Sequence, residues 1–212
     1  VGVTGGWHDI FKYKVLFASC LTPEDEYDND RIIEYVKNGG MLYFSGGDNP
    51  RLVEALMGAK VRRITDEDVL YIAPRGNGKE LFEYFNEKYP LPFNGRIPIL
   101  EGADIEDVMA TITLPYTIPG EKRFASIHSN PPGICTDIPA IIRKDFGKGR
   151  VIWSAAPIEY PGTEEYKRIL LNLLGKLQYD DELSIKSDAP KNVELVSFRE
   201  KDSLFVSTVH LN

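Results

Sequence analysis

The chain has 212 residues, of which 42% are hydrophobic and 27% are charged, and its formal net charge is -7. This composition is typical of a soluble globular protein that can bury a core, and no apolar run approaches the roughly 20 residues that cross a bilayer. The acidic balance disfavours a nucleic-acid partner, because phosphates need a basic surface. The two cysteines, Cys20 and Cys135, are far apart and lack metal-ligand spacing, which argues against a disulfide framework and favours a reducing, cytoplasmic compartment.

The segment from Tyr13 to Asp48 is predicted to form one strand, helix, strand unit of a parallel sheet. Tyr13 to Ala18 and Met41 to Ser45 are short apolar runs of buried-strand type. Between them, Thr22 can cap a helix and Pro23 suits its first position, while two glycines end it. A helix in this place must cross over the sheet, and such connections are right-handed in roughly 98% of cases. The sequence therefore predicts two parallel strands joined by a crossover helix.

Further helices and strands are predicted between Asp48 and Leu177. Each is predicted from an apolar run or a helical spacing that turn residues delimit. In chain order they are a helix over Arg51 to Met57 capped by Asn49 and stopped by Gly58, a strand over Val69 to Ala73, a helix over Glu80 to Tyr89, strands over Val108 to Leu114 and Arg123 to His128, a hairpin of Ala140 to Asp145 with Arg150 to Ala155, and a helix from Thr163 with an apolar face up to Leu177.

The composition changes at Ser187, and we divide the chain there. Residues 1–186 are assigned to an α/β domain, and residues 187–212 open with the linker SDAPKN. The rest of that tail predicts two alternating strands around a turn at Glu200 to Ser203. These strands either begin a further β-domain or pair with the edge of the first sheet. Because the chain begins at Val1 without a methionine and stops just after a strand, we interpret it as a piece of a longer protein.

The segment YFSGG is the first candidate for catalysis, because Ser45 stands where a strand turns into a helix, as a nucleophile does in an elbow motif. That motif has glycine two residues earlier, and this chain has Tyr43. A serine nucleophile also needs a base within hydrogen-bond reach, and the three histidines are His8, His128 and His210. We favour a structural or ligand-facing hydroxyl at Ser45, with His128 as the candidate base of the catalytic alternative.

Cys20 follows the first predicted strand, a position where a helix start lowers the pKa of a thiol. A free cysteine more often packs as a small hydrophobic residue, and we favour that role here. The loop PRGNGK lacks the spacing of a phosphate-binding loop, and no set of residues has metal-ligand spacing. The sequence therefore predicts neither a cofactor nor a metal.

The second polar cluster is IHSNPPG, residues 127–133, which gathers His128, Ser129 and Asn130 before a rigid turn. These groups suit hydrogen bonding to a sugar or to a neighbouring domain, and Tyr116 and Trp153 add a stacking surface. The alternative is a turn whose polar side chains bond to their own backbone. The sequence is compatible with both interpretations.

Three segments within residues 10–178, taken in order, carry a family resemblance: YKVLF, EYVKNGGMLYFSGG and PAIIRKDFGKGRVIWSAAPIE. They resemble the class I glutamine amidotransferase-like domain that lies beside the catalytic barrel of certain glycoside hydrolases, known as the β-galactosidase trimerisation domain. The terminal strands look like the β-domain that often follows it. The resemblance implies a flavodoxin-like three-layer α/β/α fold with a mainly parallel sheet, plus a short C-terminal β-hairpin segment.

The resemblance also implies that the domain does not hydrolyse a substrate. True amidotransferases carry cysteine at the elbow, where this chain has Ser45, and a histidine before a proline, where AAPIE has Ala156 before Pro157. The implied role is a non-catalytic accessory and oligomerisation domain that packs against the catalytic barrel of its parent enzyme or against identical subunits, with no nucleic-acid or membrane partner.

Two alternatives remain beside this role. One is an amidase or esterase that uses Ser45 and His128, and the other is a carbohydrate-binding module around His128, Asn130 and Tyr116. The residues expected to contact a ligand or a partner are Cys20, Ser45, Asp48, Tyr116, His128, Ser129, Asn130 and Glu159.

Overall fold

A computed structural model describes residues 7–21, 26–47, 49–126, 129–177, 187–190, 192–200 and 202–210. The chain divides into two units, Val1–Gln178 and Tyr179–Asn212. Within the described residues, the first unit contains a seven-stranded sheet, a two-stranded sheet and three α-helices, and the second unit contains a two-stranded sheet.

The helices and strands of the first unit have the following bounds. The α-helices are α1 (Glu26–Lys37), α2 (Pro50–Met57) and α3 (Glu164–Leu177), and short 3-10 helices cover Trp7–Lys12, Gly76–Leu81 and Ile105–Asp107. The strands are β1 (Val15–Ala18), β2 (Met41–Ser45), β3 (Lys60–Ile64), β4 (Val69–Pro74), β5 (Leu91–Asn94), β6 (Pro98–Glu101), β7 (Val108–Pro115), β8 (Pro132–Phe146) and β9 (Gly149–Ser154).

The seven-stranded sheet is mixed, with the strand order β1-β2-β9-β8-β7-β4-β5. Only the pairings of β2 with β1 and with β9 are parallel, and the other four are antiparallel. The sheet curls into a half-barrel, and strands account for more residues than helices. The predicted flavodoxin-like three-layer α/β/α fold with a mainly parallel sheet is therefore wrong.

The tight connection between β8 and β9 explains part of this difference. Phe146 pairs with Gly149, so only two residues separate the strands, and a turn this short can join only antiparallel neighbours. In a flavodoxin-like fold each strand would instead be followed by a crossover helix. The predicted hairpin is confirmed, but β8 begins at Pro132, well before the predicted Ala140.

The unit of β1, α1 and β2 is confirmed as a parallel crossover. Val15 pairs with Met41 and Ala18 with Phe44, and β2 is buried along its whole length. On α1, Ile32 is fully buried, as a helix that packs on a sheet requires. The predicted cap residues Thr22 and Pro23 lie outside the described residues.

The predicted signals at both ends of α2 are also confirmed. The side chain of Asn49 accepts a hydrogen bond from the Leu52 N–H at 3.0 Å, which satisfies one of the free donors of the first turn. Gly58 has a φ of 68° and donates its N–H to the Glu54 carbonyl, so it ends the helix in the left-handed conformation that glycine adopts readily.

Two predicted elements of the first unit are wrong. The expected helix over Glu80 to Tyr89 is replaced by the 3-10 helix Gly76–Leu81 and by turns. A Cβ atom at Gly78 would lie 1.9 Å from the Met109 carbonyl oxygen, so the backbone here packs directly against β7. This tertiary contact, rather than the helical spacing of apolar residues, determines the conformation of the segment. The expected strand over Arg123 to His128 has no regular structure at residues 123–126, and residues 127–128 lie outside the described residues.

Three strands, β3, β5 and β6, have no counterpart in the sequence-based prediction. Pro92 lies within β5 and Pro98 opens β6, and proline is a signal against a strand. Both strands lie where proline is tolerated, because β5 is an edge of the large sheet and β6 belongs to the two-stranded sheet with β3.

The second unit contains the strands β10 (Val193–Glu200) and β11 (Ser203–His210). They pair antiparallel with each other, and Glu200 opposite Ser203 closes the turn. The two predicted strands are therefore confirmed, and they form a two-stranded sheet of their own. Of the helices in the described part of the chain, none is long and apolar enough to cross a membrane.

Candidate functional site

The carboxyl ends of β1, β2 and β9 meet at one edge of the sheet, because these three strands run parallel. Ser19 follows β1, Ser45 ends β2, and Glu159 lies in the loop after β9. In open α/β sheets, this edge is where polar groups converge and ligands bind. The three side chains and Tyr43 of β2 form one hydrogen-bonded group, which we call the Glu159 cluster.

The carboxylate of Glu159 accepts three hydrogen bonds from hydroxyl groups in this cluster. Its Oε1 accepts from Ser45 Oγ at 2.5 Å and from Ser19 Oγ at 2.6 Å, and its Oε2 accepts from Tyr43 OH at 2.8 Å. Hydrogen bonds to a charged acceptor are shorter and stronger than those between neutral groups. The carboxylate therefore ties the loop after β9 to the ends of β1 and β2.

Tyr43 is the most deeply buried member of the cluster. Its side chain is 0% exposed, and the ring of Phe17 stacks on it with centroids 4.9 Å apart and planes 5° from parallel. Burial, and then the negative charge of Glu159, raise the pKa of Tyr43 well above its ordinary value. At neutral pH the phenol therefore stays protonated and donates a hydrogen bond to the carboxylate.

The hydroxyl of Ser45 is engaged on both sides. It donates to Glu159, and it accepts the backbone N–H of Cys20 at 3.0 Å. Ser45 is 2% exposed, so a substrate has no access to the oxygen. The Glu159 carboxylate that accepts from Ser45 also accepts from the Ser19 and Tyr43 hydroxyls. This geometry favours a structural hydroxyl over a nucleophile.

Cys20 takes the sharp turn after β1. Its φ is 45°, in the left-handed region that non-glycine residues seldom adopt, and its side chain is partly buried. The turn directs the Cys20 N–H at Ser45, so the strained backbone serves the hydrogen bonds of the cluster. The elbow-like turn of this edge thus lies after β1 at Cys20, whereas the sequence pointed to Ser45.

Two further hydrogen bonds hold the loop that carries Glu159. The Ser154 hydroxyl donates to the Ala156 carbonyl at 2.7 Å, and the Ile158 N–H donates to the same carbonyl at 2.8 Å. On β9 itself, Trp153 is 0% exposed and offers no stacking surface, and its indole N–H donates to the carbonyl of Gly46, after the neighbouring strand β2, at 2.7 Å. These hydrogen bonds therefore hold the loop in addition to the contacts that Glu159 itself makes.

The polar residues Ser129 and Asn130 belong to a different loop. The Asn130 amide accepts the Thr117 N–H at 2.9 Å and donates to the Thr117 carbonyl at 2.7 Å, so it bonds to nearby backbone. Tyr116 is 41% exposed, and the guanidinium of Arg123 lies 5.2 Å from its ring centroid. Ser129 is exposed and donates its N–H to the Ser126 carbonyl.

The structure thus joins three of the predicted contact residues, Cys20, Ser45 and Glu159, at one edge of the sheet. Asp48 and His128 lie outside the described residues. Sequence reasoning missed Ser19 and Tyr43. Ser19 directly follows the first predicted strand, and that position was a usable signal, whereas Tyr43 lies in the middle of its strand and gave none. Within the described ranges, no group of three or more histidine, cysteine, aspartate or glutamate residues is arranged to hold a metal ion.

Comparison with known proteins gives structural likeness only. No protein-family model matches the chain, and no curated protein matches it in sequence. The chain is similar to a β-galactosidase from Rahnella sp. R3 (TM-score 0.60, 18% identity), covering 96% of this chain and 28% of that one. It is also similar to α-L-fucosidase isoenzyme 2 from Paenibacillus thiaminolyticus (TM-score 0.69, 18% identity), covering 89% of this chain and 28% of that one.

A third similar structure is a cytoplasmic protein from Salmonella typhimurium, with a TM-score of 0.55 and 12% identity. The likeness covers 84% of this chain and 76% of that one. The same fold therefore occurs both within glycoside hydrolases, of whose length this chain spans 28%, and as most of a smaller protein.

Proposed function

We propose that this chain is a non-catalytic accessory domain of a glycoside hydrolase, of the type that makes trimer contacts in β-galactosidases. The observation that carries the proposal is the likeness of nearly the whole chain to 28% of a β-galactosidase and 28% of a fucosidase. A segment of that share leaves room for a separate catalytic domain in the parent chain. The domain packs against that catalytic part and contributes contacts between subunits.

The Glu159 cluster supports a role without catalysis. Every hydroxyl of the cluster donates to one carboxylate, and the Ser45 oxygen also accepts a backbone N–H. A nucleophile needs a free approach for the substrate. The buried Ser45 hydroxyl, which is 2% exposed, has none, so we assign these residues to the stability of the fold.

Sedimentation equilibrium of the purified chain tests the contact role directly. We expect the average mass to rise above that of the monomer as the protein concentration is raised, because isolated contact domains retain part of their interface. A monomeric mass at every concentration would contradict the subunit contacts. The measurement needs no knowledge of the parent enzyme.

Hydrolysis assays distinguish this proposal from the amidase or esterase alternative. We expect no turnover of nitrophenyl esters, simple amides or aryl galactosides by the purified chain. Turnover that disappears in Ser45→Ala and persists in Ser129→Ala would establish an enzyme and remove the accessory role. Ser129 is a suitable control because it is exposed and lies in a different loop.

A further inference from the structure

A separate pocket lies in the first unit, where the turn after the 3-10 helix Gly76–Leu81 meets the first turns of α3. It has a volume of about 200 Å³ and is partly open to solvent. Pockets for drug-sized ligands commonly enclose about 300–1,000 Å³ and combine an apolar lining with a few polar groups, so this smaller pocket suits a ligand no larger than a single ring. We call it the Tyr84 pocket, after the tyrosine at its rim.

The floor of the Tyr84 pocket is apolar and rigid. Leu81, Phe82 and Ile169 line it and are 4%, 1% and 2% exposed, so each is anchored in the core. Tyr84 lines the same pocket but is 75% exposed, an unusual state for a large aromatic side chain. The pocket therefore offers an aromatic surface beside a fixed apolar floor.

The polar rim places donors and acceptors side by side. Arg168 Nη1 lies 2.7 Å from Glu83 Oε2, and Arg168 Nε lies 3.5 Å from Glu164 Oε1. Glu83 has a φ of 44°, so the chain holds a strained conformation that directs this carboxylate toward α3.

We infer that the Tyr84 pocket binds one neutral sugar ring. Adjacent hydroxyl groups of a sugar both donate and accept, which matches a guanidinium next to a carboxylate. One face of a pyranose carries only C–H groups, and an exposed tyrosine ring covers such a face well. Glu83, Glu164 and Glu165 outnumber the one cation of the rim, so the pocket repels phosphate and carboxylate ligands.

This inference rests on the proposed function for the choice of D-galactose as the probe, with D-glucose beside it. Saturation-transfer NMR and calorimetric titration of the whole chain should show saturable, weak binding of at least one of the two sugars. Tyr84→Ala should weaken that binding about tenfold, because it removes the stacking surface. Arg168→Gln should weaken sugar binding more than Tyr84→Ala does, because it removes the guanidinium donors of the rim.

Tyr89→Ala is the matched control, because Tyr89 is 63% exposed in the same turn region and does not line the pocket. It should leave the affinity unchanged. Binding that Tyr84→Ala leaves intact, binding that Tyr116→Ala abolishes instead, or no saturable binding of either sugar would overturn the inference. Tyr84 is exposed, so its replacement leaves the fold intact, and a thermal melt verifies this.

The two proposals fail in different ways. If the pocket binds no sugar while the mass still rises with concentration, only the sugar site is lost. If Tyr84→Ala abolishes self-association, the pocket is part of the subunit contact, and the sugar assignment is overturned. Stronger binding of a primary amine such as butylamine than of either sugar would also overturn it, since the acidic rim would then select a cation.

Discussion

The Glu159 cluster and the Tyr84 pocket both place a tyrosine beside glutamate side chains, but they differ in access to solvent. Tyr43 is 0% exposed and donates to a carboxylate with three donors, whereas Tyr84 is 75% exposed beside open space. A buried polar group stabilises a fold when every partner is present, and an exposed one contributes little to stability. We therefore expect the cluster to govern stability and the pocket to govern binding.

The largest expected effect is that of Glu159→Ala. This change leaves the Tyr43 and Ser45 hydroxyls buried without their acceptor and releases the loop after β9. We expect the free energy of unfolding to fall by about 2–4 kcal/mol, from the loss of charged hydrogen bonds and the cost of unpaired buried donors. Urea denaturation followed by circular dichroism measures it.

Glu159→Gln tests whether the charge or only the shape matters in the cluster. The amide keeps one acceptor oxygen but cannot accept from hydroxyls on both sides, so its effect should lie between wild type and Glu159→Ala. If Glu159→Ala and wild type unfold at the same urea concentration, the cluster does not stabilise the fold, and the contrast with the pocket disappears.

A smaller effect with a distinct pH signature is expected for Tyr43→Phe. At neutral pH the lost hydrogen bond should cost about 1–2 kcal/mol. The pKa of Tyr43 is raised in the folded chain, so above pH 10 the unfolded chain releases a proton that the folded chain keeps. The contribution of the protonated Tyr43 to the free energy of unfolding is therefore fully present below pH 10. It is lost as the pH rises toward the pKa of Tyr43 in the folded chain.

Stability curves from pH 7 to 11 for wild type and Tyr43→Phe measure this signature. The difference between the two proteins should shrink above pH 10, because only wild type loses stability through this group. A constant difference over the whole range would show that Tyr43 is not shielded as its burial requires.

The smallest expected effect on stability is that of Glu83→Gln in the Tyr84 pocket. Glu83 and Arg168 form an ion pair with side chains 39% and 37% exposed, and solvent screens such a pair. The urea midpoint should therefore move less than in either Glu159 variant or in Tyr43→Phe. A loss as large as that of Glu159→Ala would mean that the pocket rim stabilises the core.

The sequence predicted those elements whose signals are local. The Asn49 cap, the Gly58 stop and the short turn between β8 and β9 each depend on a few neighbouring residues, and the structure has all three. Strand pairing depends on partners far apart in the chain, so composition and periodicity did not reveal that β4, β7 and β8 pair antiparallel. The prediction of a mainly parallel sheet came from the resemblance to amidotransferase-like domains, and it was wrong.

The candidate site was predictable only in part, for the same reason. Ser45 was noticed because it ends a strand and precedes glycines, but its partner Glu159 lies 114 positions away. Tyr43 reads in sequence as one more apolar residue of a buried strand, and only the fold reveals that its hydroxyl reaches the carboxylate. The Tyr84 pocket was hidden because residues 80–89 were predicted to be a helix.

The position of β2 has a consequence for how the protein folds. One of its two neighbours is β9, and the hydrogen bond of Trp153 to Gly46 spans 107 positions of the chain. Pairings across such distances form late, because the loop must first be closed at a cost in entropy. We therefore expect β2 to have an open edge during synthesis until β9 has left the ribosome, and we expect residues 13–48 not to fold as an independent unit.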